Sequence, residues 1–358
     1  MLNRTKQVQK SGNNSTNIQA NEVKIINGIT YTETRQIAQE VFEANFYRLS
    51  EQAMQVAKAR VNELMDYFLS ELQKRAPHAL SSVLDPDMQF VLYTSLREYA
   101  RTGDKDLGQL LVDILVDRAK NNERTLMQIV LNESLSVVPK LTIEQFDALS
   151  LIFLIKYTKC SEMRNIQILS AYIDGYYVPF MGNLTKEPSY YQHLEYTGCG
   201  SISIGEIRIE RVFRETYSGL FCRGFKKDEF LAQIISGETF SSEEINALEA
   251  LFTPCLHNSN LYQLNAKDDE DLEKRCTSMG ISKENITKIK DIYSKYLMSE
   301  QEVKEFLRKV HPCMDKLFDY WDNSYMKNMV LTSVGIAIAH ANIRRKINEN
   351  FDLSIWIK

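Results

Sequence analysis

Apolar residues recur at helical spacing along most of the chain, and the longest unbroken stretch runs from Thr30 to Pro77. Ile37, Val41, Phe46, Leu49, Ala53, Val56, Val61, Leu64, Phe68 and Leu72 follow one another in steps of three, four or five, which is one buried stripe. Thr30 and Glu33 stand at capping-box spacing at the start, and Pro77 pushes the preceding residue out of helical geometry at the end. The pattern predicts one very long helix, bent if Ser50-Glu51 caps a second segment. Unbroken, it would be roughly 65 Å long at 1.5 Å per residue. Arg60 and Glu63 fall where a heptad seam needs apolar residues, so a helix packed on several neighbours is expected rather than a coiled coil.

Further starts and stops follow at short intervals. Asp85-Pro86, Asp104, Thr142 with Gln145, Ser241 with Glu244, Ser282, and Ser299 with Glu302 mark helix N-termini, while Gly103 and Pro139 mark stops. The run from Leu149 to Ile155 is apolar nearly all round and predicts a buried helix. Ser201 to Ile204 alternates like a strand, whereas Glu206 to Tyr217 fits helix equally well. A last helix is expected over Lys327 to Lys346. Val23 to Ile26 reads as a short strand, and Phe351 to Ile357 alternates apolar with polar residues, so the two ends are expected to pair.

The expected fold is therefore mainly α: a multi-helix bundle built on the long N-terminal helix, with a small β element joining the termini. Its parts would be a disordered arm (1–22), a helical bundle (23–160), an aromatic and glycine-rich connecting region (161–225), and a C-terminal helical region with a terminal strand (226–358).

Composition narrows the function classes. A net charge of −4 gives no general attraction to nucleic acid or to an anionic membrane. The apolar run Met329 to Ala339 is too short for a bilayer, so no membrane span is expected. Six widely spaced cysteines without a CxxC pair fit free thiols in a reducing cytoplasm.

Candidate chemistry is sparse. No phosphate-binding loop, dinucleotide fingerprint, HExxH or GxSxG motif occurs. Cys199, set between two glycines with His193 six residues before it, is the one plausible nucleophile and base, since a thiol needs a nearby base to become a thiolate. A zinc set drawn from His193, Cys199, Cys222, Cys255 and His257 lacks the usual ligand spacing, so neither metal nor cofactor is expected. Tyr190 and Tyr191 belong to a tyrosine-rich stretch suited to binding, but it has few cations to hold a nucleic acid. Gly335 and Ala339 let another backbone approach, and His340, Arg344 and Arg345 form a basic end to the last helix.

Several segments taken together resemble a known lineage: Gly28 to Glu33 with Phe42 to Tyr47, Leu107 to Asp113, Gln192 to Ser201, and Leu331 to Asn342 with Phe351 to Ile357. They are similar to a family of uncharacterised bacterial proteins that carry locus-style names and sit in variable genomic regions. The resemblance implies a complete bacterial cytoplasmic protein, an accessory of anti-phage defence or stress response. It brings no activity or catalytic residue with it. The leading expectation is a helical interaction or scaffold protein that self-associates or docks on a protein partner through the long helix and the Gly335–Ala341 face. The alternatives are a hydrolase or transferase using Cys199 and His193, and a nucleic-acid-binding sensor.

Overall fold

The computed structural model describes residues 30–45, 51–121, 123–236 and 239–358. Among these the fold is mainly helical, with sixteen α-helices and four three-residue strands. The first half holds α1 (Tyr31–Asn45), α2 (Glu51–Arg75), α3 (Pro86–Thr102), α4 (Lys105–Ala119), α5 (Leu126–Val137) and α6 (Ile143–Tyr157). Next come α7 (Ile166–Tyr176), α8 (Pro188–Tyr196), β1 (Gly200–Ile202) and α9 (Ile209–Thr216). The remainder comprises α10 (Lys227–Ile235), α11 (Ser242–Glu249), β2 (Phe252–Pro254), β3 (Tyr262–Leu264), α12 (Asp269–Ser278), α13 (Lys283–Ser294), α14 (Glu300–Val310), α15 (Cys313–Asp322), β4 (Met329–Leu331) and α16 (Ser333–Ile347).

The single long N-terminal helix expected from the stripe is instead two helices, α1 and α2, lying antiparallel side by side. Arg35 meets Asp66 at 2.9 Å and Glu43 meets Lys58 at 3.8 Å, so facing positions rise on one helix as they fall on the other. Physically, a rod of that length leaves much of its stripe uncovered. The antiparallel pair instead buries Ala38 and Phe42 in one core with Ala57, Val61 and Leu64. Arg60 and Glu63, the two residues that break the heptad, both serve α3: Arg60 donates to the carbonyls of Ala100 and Arg101 at its C-terminal end, and Glu63 accepts from the Tyr99 hydroxyl. Gly103, with φ of +65°, then ends α3 in the left-handed conformation that favours glycine.

Many of the helix starts are those the sequence marks. Thr30 and Glu33 exchange backbone and side-chain hydrogen bonds, Asp85 accepts from the N–H of Met88, and complete capping boxes open α6, α11 and α14. α16 occupies the centre, packed on α6, α4 and α5. Gln145 to Ile155 of α6 and Gly335 to Ile343 of α16 are buried on every side, which is how an all-round apolar helix must sit.

A second, smaller apolar cluster is built from Cys222, Phe225, Phe230, Ile234, Leu248, Leu264, Leu272 and Ile289. It forms a lobe between α9 and α14 whose two connecting segments pair at its neck: Met298 N–H donates to Phe221, and Arg223 N–H to Tyr296. After this neck α14 packs on α9, and the last helices rejoin the main core.

Two antiparallel pairs complete the fold, β1 with β4 and β2 with β3. The start of the expected final helix, Met329 to Leu331, is thus strand, with Ser201 opposite Val330. Helix side chains cover the edges of this pair. Glu195 accepts from Ile202 N–H, Leu331 N–H donates to the Tyr157 hydroxyl, and Lys156 Nζ donates to the carbonyls of Met326, Lys327 and Met329. Burial pushes the Lys156 ammonium down to about 8.

The terminal β element is not found. Val23 to Ile26, like the expected arm at 1–22, lies outside the described residues. Phe351 to Ile357 is not a strand but contains a 3-10 turn, Leu353–Ile355. Phe351 and Trp356 would face opposite sides of a strand, yet both pack on Phe153, and Ile355 points to solvent. This tail is tied to α6 by the Trp356 indole N–H, which donates to the carbonyl of Tyr157.

Candidate functional site

Cys199 and His193 are not joined by a hydrogen bond. The Cys199 thiol is fully buried, its polar neighbour is the Thr197 hydroxyl at 3.6 Å, and burial pushes its pKa up to about 11. A thiol so placed is poorly suited to form a thiolate. His193 instead belongs to the capping box of α6. Gln145 accepts from Thr142 N–H and uses its amide nitrogen on the Tyr190 carbonyl at 2.7 Å and on His193 Nδ1 at 3.0 Å. Tyr191 is buried, with its hydroxyl donating to Thr185.

Gly335 and Ala339 do let a backbone approach, but it is the chain's own. The carbonyl oxygen of Cys199 occupies the place where a Cβ on Gly335 would stand, and Thr332 N–H donates to that same oxygen. Ala339 faces α6 near Ser150. The Gly335–Ala341 face expected to meet a partner is therefore closed inside the core. Steric access alone decides this, because every residue from Gly335 to Ala341 is buried.

The basic end of α16 is the richest polar site, and the surrounding helices answer it charge for charge. Arg344 pairs with Asp117 at 2.7 Å, Arg345 with Asp106, and Lys346 with the fully buried Asp147 at 2.6 Å. Arg75 of α2 bridges Asp113 at 2.6 Å and Asp117 at 3.4 Å, so two arginines and two aspartates link α2, α4 and α16. Asp147 also accepts from Asn183 and Asn342. A basic surface for nucleic acid is thereby spent inside the molecule.

Electrostatics within the cluster are uneven. Burial raises the Asp113 carboxyl above its ordinary value against the pull of Arg344 and Arg75. Asp117, though deeply buried, is held below its ordinary value by Arg344 and Lys120. His340 donates from Nε2 to the Phe351 carbonyl at 2.8 Å and accepts from Arg344 at Nδ1. Burial, with Arg344 beside it, lowers its pKa to about 4, so the ring is neutral. Arg344 Nε and Nη1 are buried without a hydrogen-bond acceptor, Nη1 lying 3.7 Å from Asp113. An orphaned buried donor costs about 1–3 kcal/mol.

Sequence reading found Arg344, Arg345 and His340 but missed Arg75, Asp113, Asp117 and Asp147. The signal was there in α4: Asp113 stands inside the apolar run Leu110 to Val116 and Asp117 follows one turn later at its end, so both were bound to need buried partners.

Cys222, Cys255 and His257 are engaged elsewhere: the Cys255 thiol donates to the Cys222 carbonyl, Cys222 Sγ accepts from Gly224 N–H, and His257 bonds the Leu220 carbonyl. Among the described residues no group of three or more His, Cys, Asp or Glu side chains is placed to hold a metal, and no helix is long and apolar enough to cross a membrane.

These features describe a helical protein whose polar centre is a web of buried ion pairs. The chain belongs to the family described as ":-like", whose model matches residues 28–357 and whose description carries no activity. No curated protein and no solved structure matches the chain.

Proposed function

We propose that this is a non-catalytic interaction protein of the bacterial cytoplasm, self-associating or docking on a protein partner through its surface, in the service of anti-phage defence or stress response. The observation that carries this reading is an apolar corner around β1 and β4. Tyr196 and Ile204 stand almost fully exposed there, with Val330 and Ile207 partly so. They share one corner, because Tyr196 follows the Glu195 that bonds β1, Val330 lies opposite Ser201, and Ser203 donates to Asn328. Single exposed apolar residues are ordinary, whereas a group of them around a rigid pair of strands is a contact surface in kind. The contact residues are thus side chains of the corner, in place of the buried face of α16.

Light scattering of the purified protein across a concentration series tests this. A discrete oligomer that dissociates on Ile204→Asp combined with Tyr196→Ser is expected. A monomer at every concentration that also captures no protein through this corner would overturn it.

A further inference from the structure

The lobe meets the main body along a seam, and a cleft of about 420 Å³ opens there, the size and setting usual for a small-molecule site. Met163 and Arg164, from the segment between α6 and α7, line it on the side of the body, and Leu256, Lys267 and Arg275 on the side of the lobe. The seam is tightly closed beside the cleft. The carbonyl oxygen of Ala266 fills the place a Cβ on Gly219 would take, Gly219 N–H donates to Lys267, and the buried Gln263 donates to Gly219.

We infer that this cleft binds a small anion carrying two or more negative charges, as phosphate or carboxylate groups, through Lys267, Arg275 and Arg164. Charge and unused donors carry the inference. Three cations line the cleft against one carboxylate, Asp271, in a chain whose net charge is −4. Asp271 Oδ2 accepts from the Lys267 N–H at 3.1 Å and from Arg275 Nε at 2.9 Å, which sets that guanidinium beside Lys267. Arg275 is half-buried, and its Nη1 and Nη2 have no acceptor among the described residues. Lys267, also half-buried, reaches across the seam to the Ser161 carbonyl at 2.9 Å. That acceptor is neutral. Among the described residues no carboxylate pairs with the Lys267 ammonium, so its charge is unanswered. On the opposite side Arg164 gives Nη2 to Glu162 and keeps Nε and Nη1 free. An oxyanion in the cleft would take the free N–H groups of Arg275 in the planar fork geometry that arginine favours and would answer Lys267. A second charged group would meet Arg164 across the seam.

Calorimetric titration of the full-length protein with pyrophosphate, citrate and spermidine at fixed ionic strength tests the inference. Saturable one-to-one binding of pyrophosphate or citrate, and none of spermidine, is expected; the tighter anion tells phosphate from carboxylate. Arg275→Gln should weaken it about tenfold. Lys267→Gln serves as the second variant, because it removes the charge yet keeps an N–H donor for the Ser161 carbonyl, and it should weaken binding to a similar degree while the far-ultraviolet dichroism stays that of the parent. Arg211→Gln makes the same change of charge on the exposed face of α9, outside the cleft, and should leave binding unchanged. Absence of saturable anion binding, equal binding of spermidine, binding indifferent to both cleft variants, or an equal loss from Arg211→Gln would each overturn it.

Discussion

Gly335 rests directly against the carbonyl oxygen of Cys199, and that oxygen also accepts from Thr332 N–H. The contact fixes the first turn of α16 to the loop before β1. A methyl group there has a backbone atom in its way, which cannot turn aside as a side chain can. Gly335→Ala should therefore destabilise the protein by about 2–3 kcal/mol, read as a lower urea midpoint at unchanged slope. An alanine variant as stable as the parent would show that the two segments are not so tightly joined.

Asp147 is the one carboxylate of the charge web with a fully buried side chain, and Lys346 is its cation. Removing one partner leaves the other charge buried and unanswered. Asp147→Asn should cost about 3 kcal/mol, and adding Lys346→Met should recover a good part of it, since an apolar pair of similar size avoids the desolvation of both charges. Urea denaturation of the single and double variants gives the coupling directly. Additive losses would argue against the pair.

His340 makes stability depend on pH in a stated direction. Its pKa falls from an ordinary 6.5 to about 4 in the folded chain, because burial and the nearby Arg344 disfavour the imidazolium. Above about pH 6.5 both folded and unfolded forms are neutral at this position and it contributes no slope. Between about 6.5 and 4 the unfolded chain takes up a proton that the folded chain refuses, so stability falls as pH falls, by about 3 kcal/mol over the window. Denaturation of the parent and of His340→Gln at a series of pH values should give curves that diverge in this range. Parallel curves would show that another group governs the acid limb.

Alkylation should sort the cysteines by burial. Cys199, Cys222, Cys255 and Cys276 are buried, whereas Cys160 and Cys313 are partly exposed. Burial also pushes Cys313 up to about 11. Cys160 should thus be the first modified by iodoacetamide at about pH 8 in the folded protein, with Cys199 protected until unfolding. Peptide mass spectrometry after a short pulse reports this. Rapid labelling of Cys199 would reopen the case for it as a nucleophile.

What could be read from the sequence was whatever a few neighbouring residues decide. The capping pairs at Thr142 and Gln145, Ser241 and Glu244, and Ser299 and Glu302 are local, and so is the all-round apolar run of α6. The pairing of α1 with α2 was hidden because their stripe continues at helical spacing, while the contacts that set them side by side, such as Arg35 with Asp66, are tertiary. The tail misled because its alternation imitates a strand, and only Phe153, far away in sequence, draws Phe351 and Trp356 to one side. The basic end of α16 looked like a free surface because Asp106, Asp113, Asp117 and Asp147 come from helices about two hundred residues earlier.

The helix at the middle of the molecule is made long after the helices it packs on. α4, α5 and α6 emerge first and shape an apolar seat that α16 fills only after residues 158–332 have been made. Until then the seat stays open to water, and its four aspartates have no cations from α16 to meet. Contacts of such long sequence separation slow folding and lengthen the time for which sticky surface is exposed. A chain cut short before Ser333 would keep most of its helices and lose the piece around which they close.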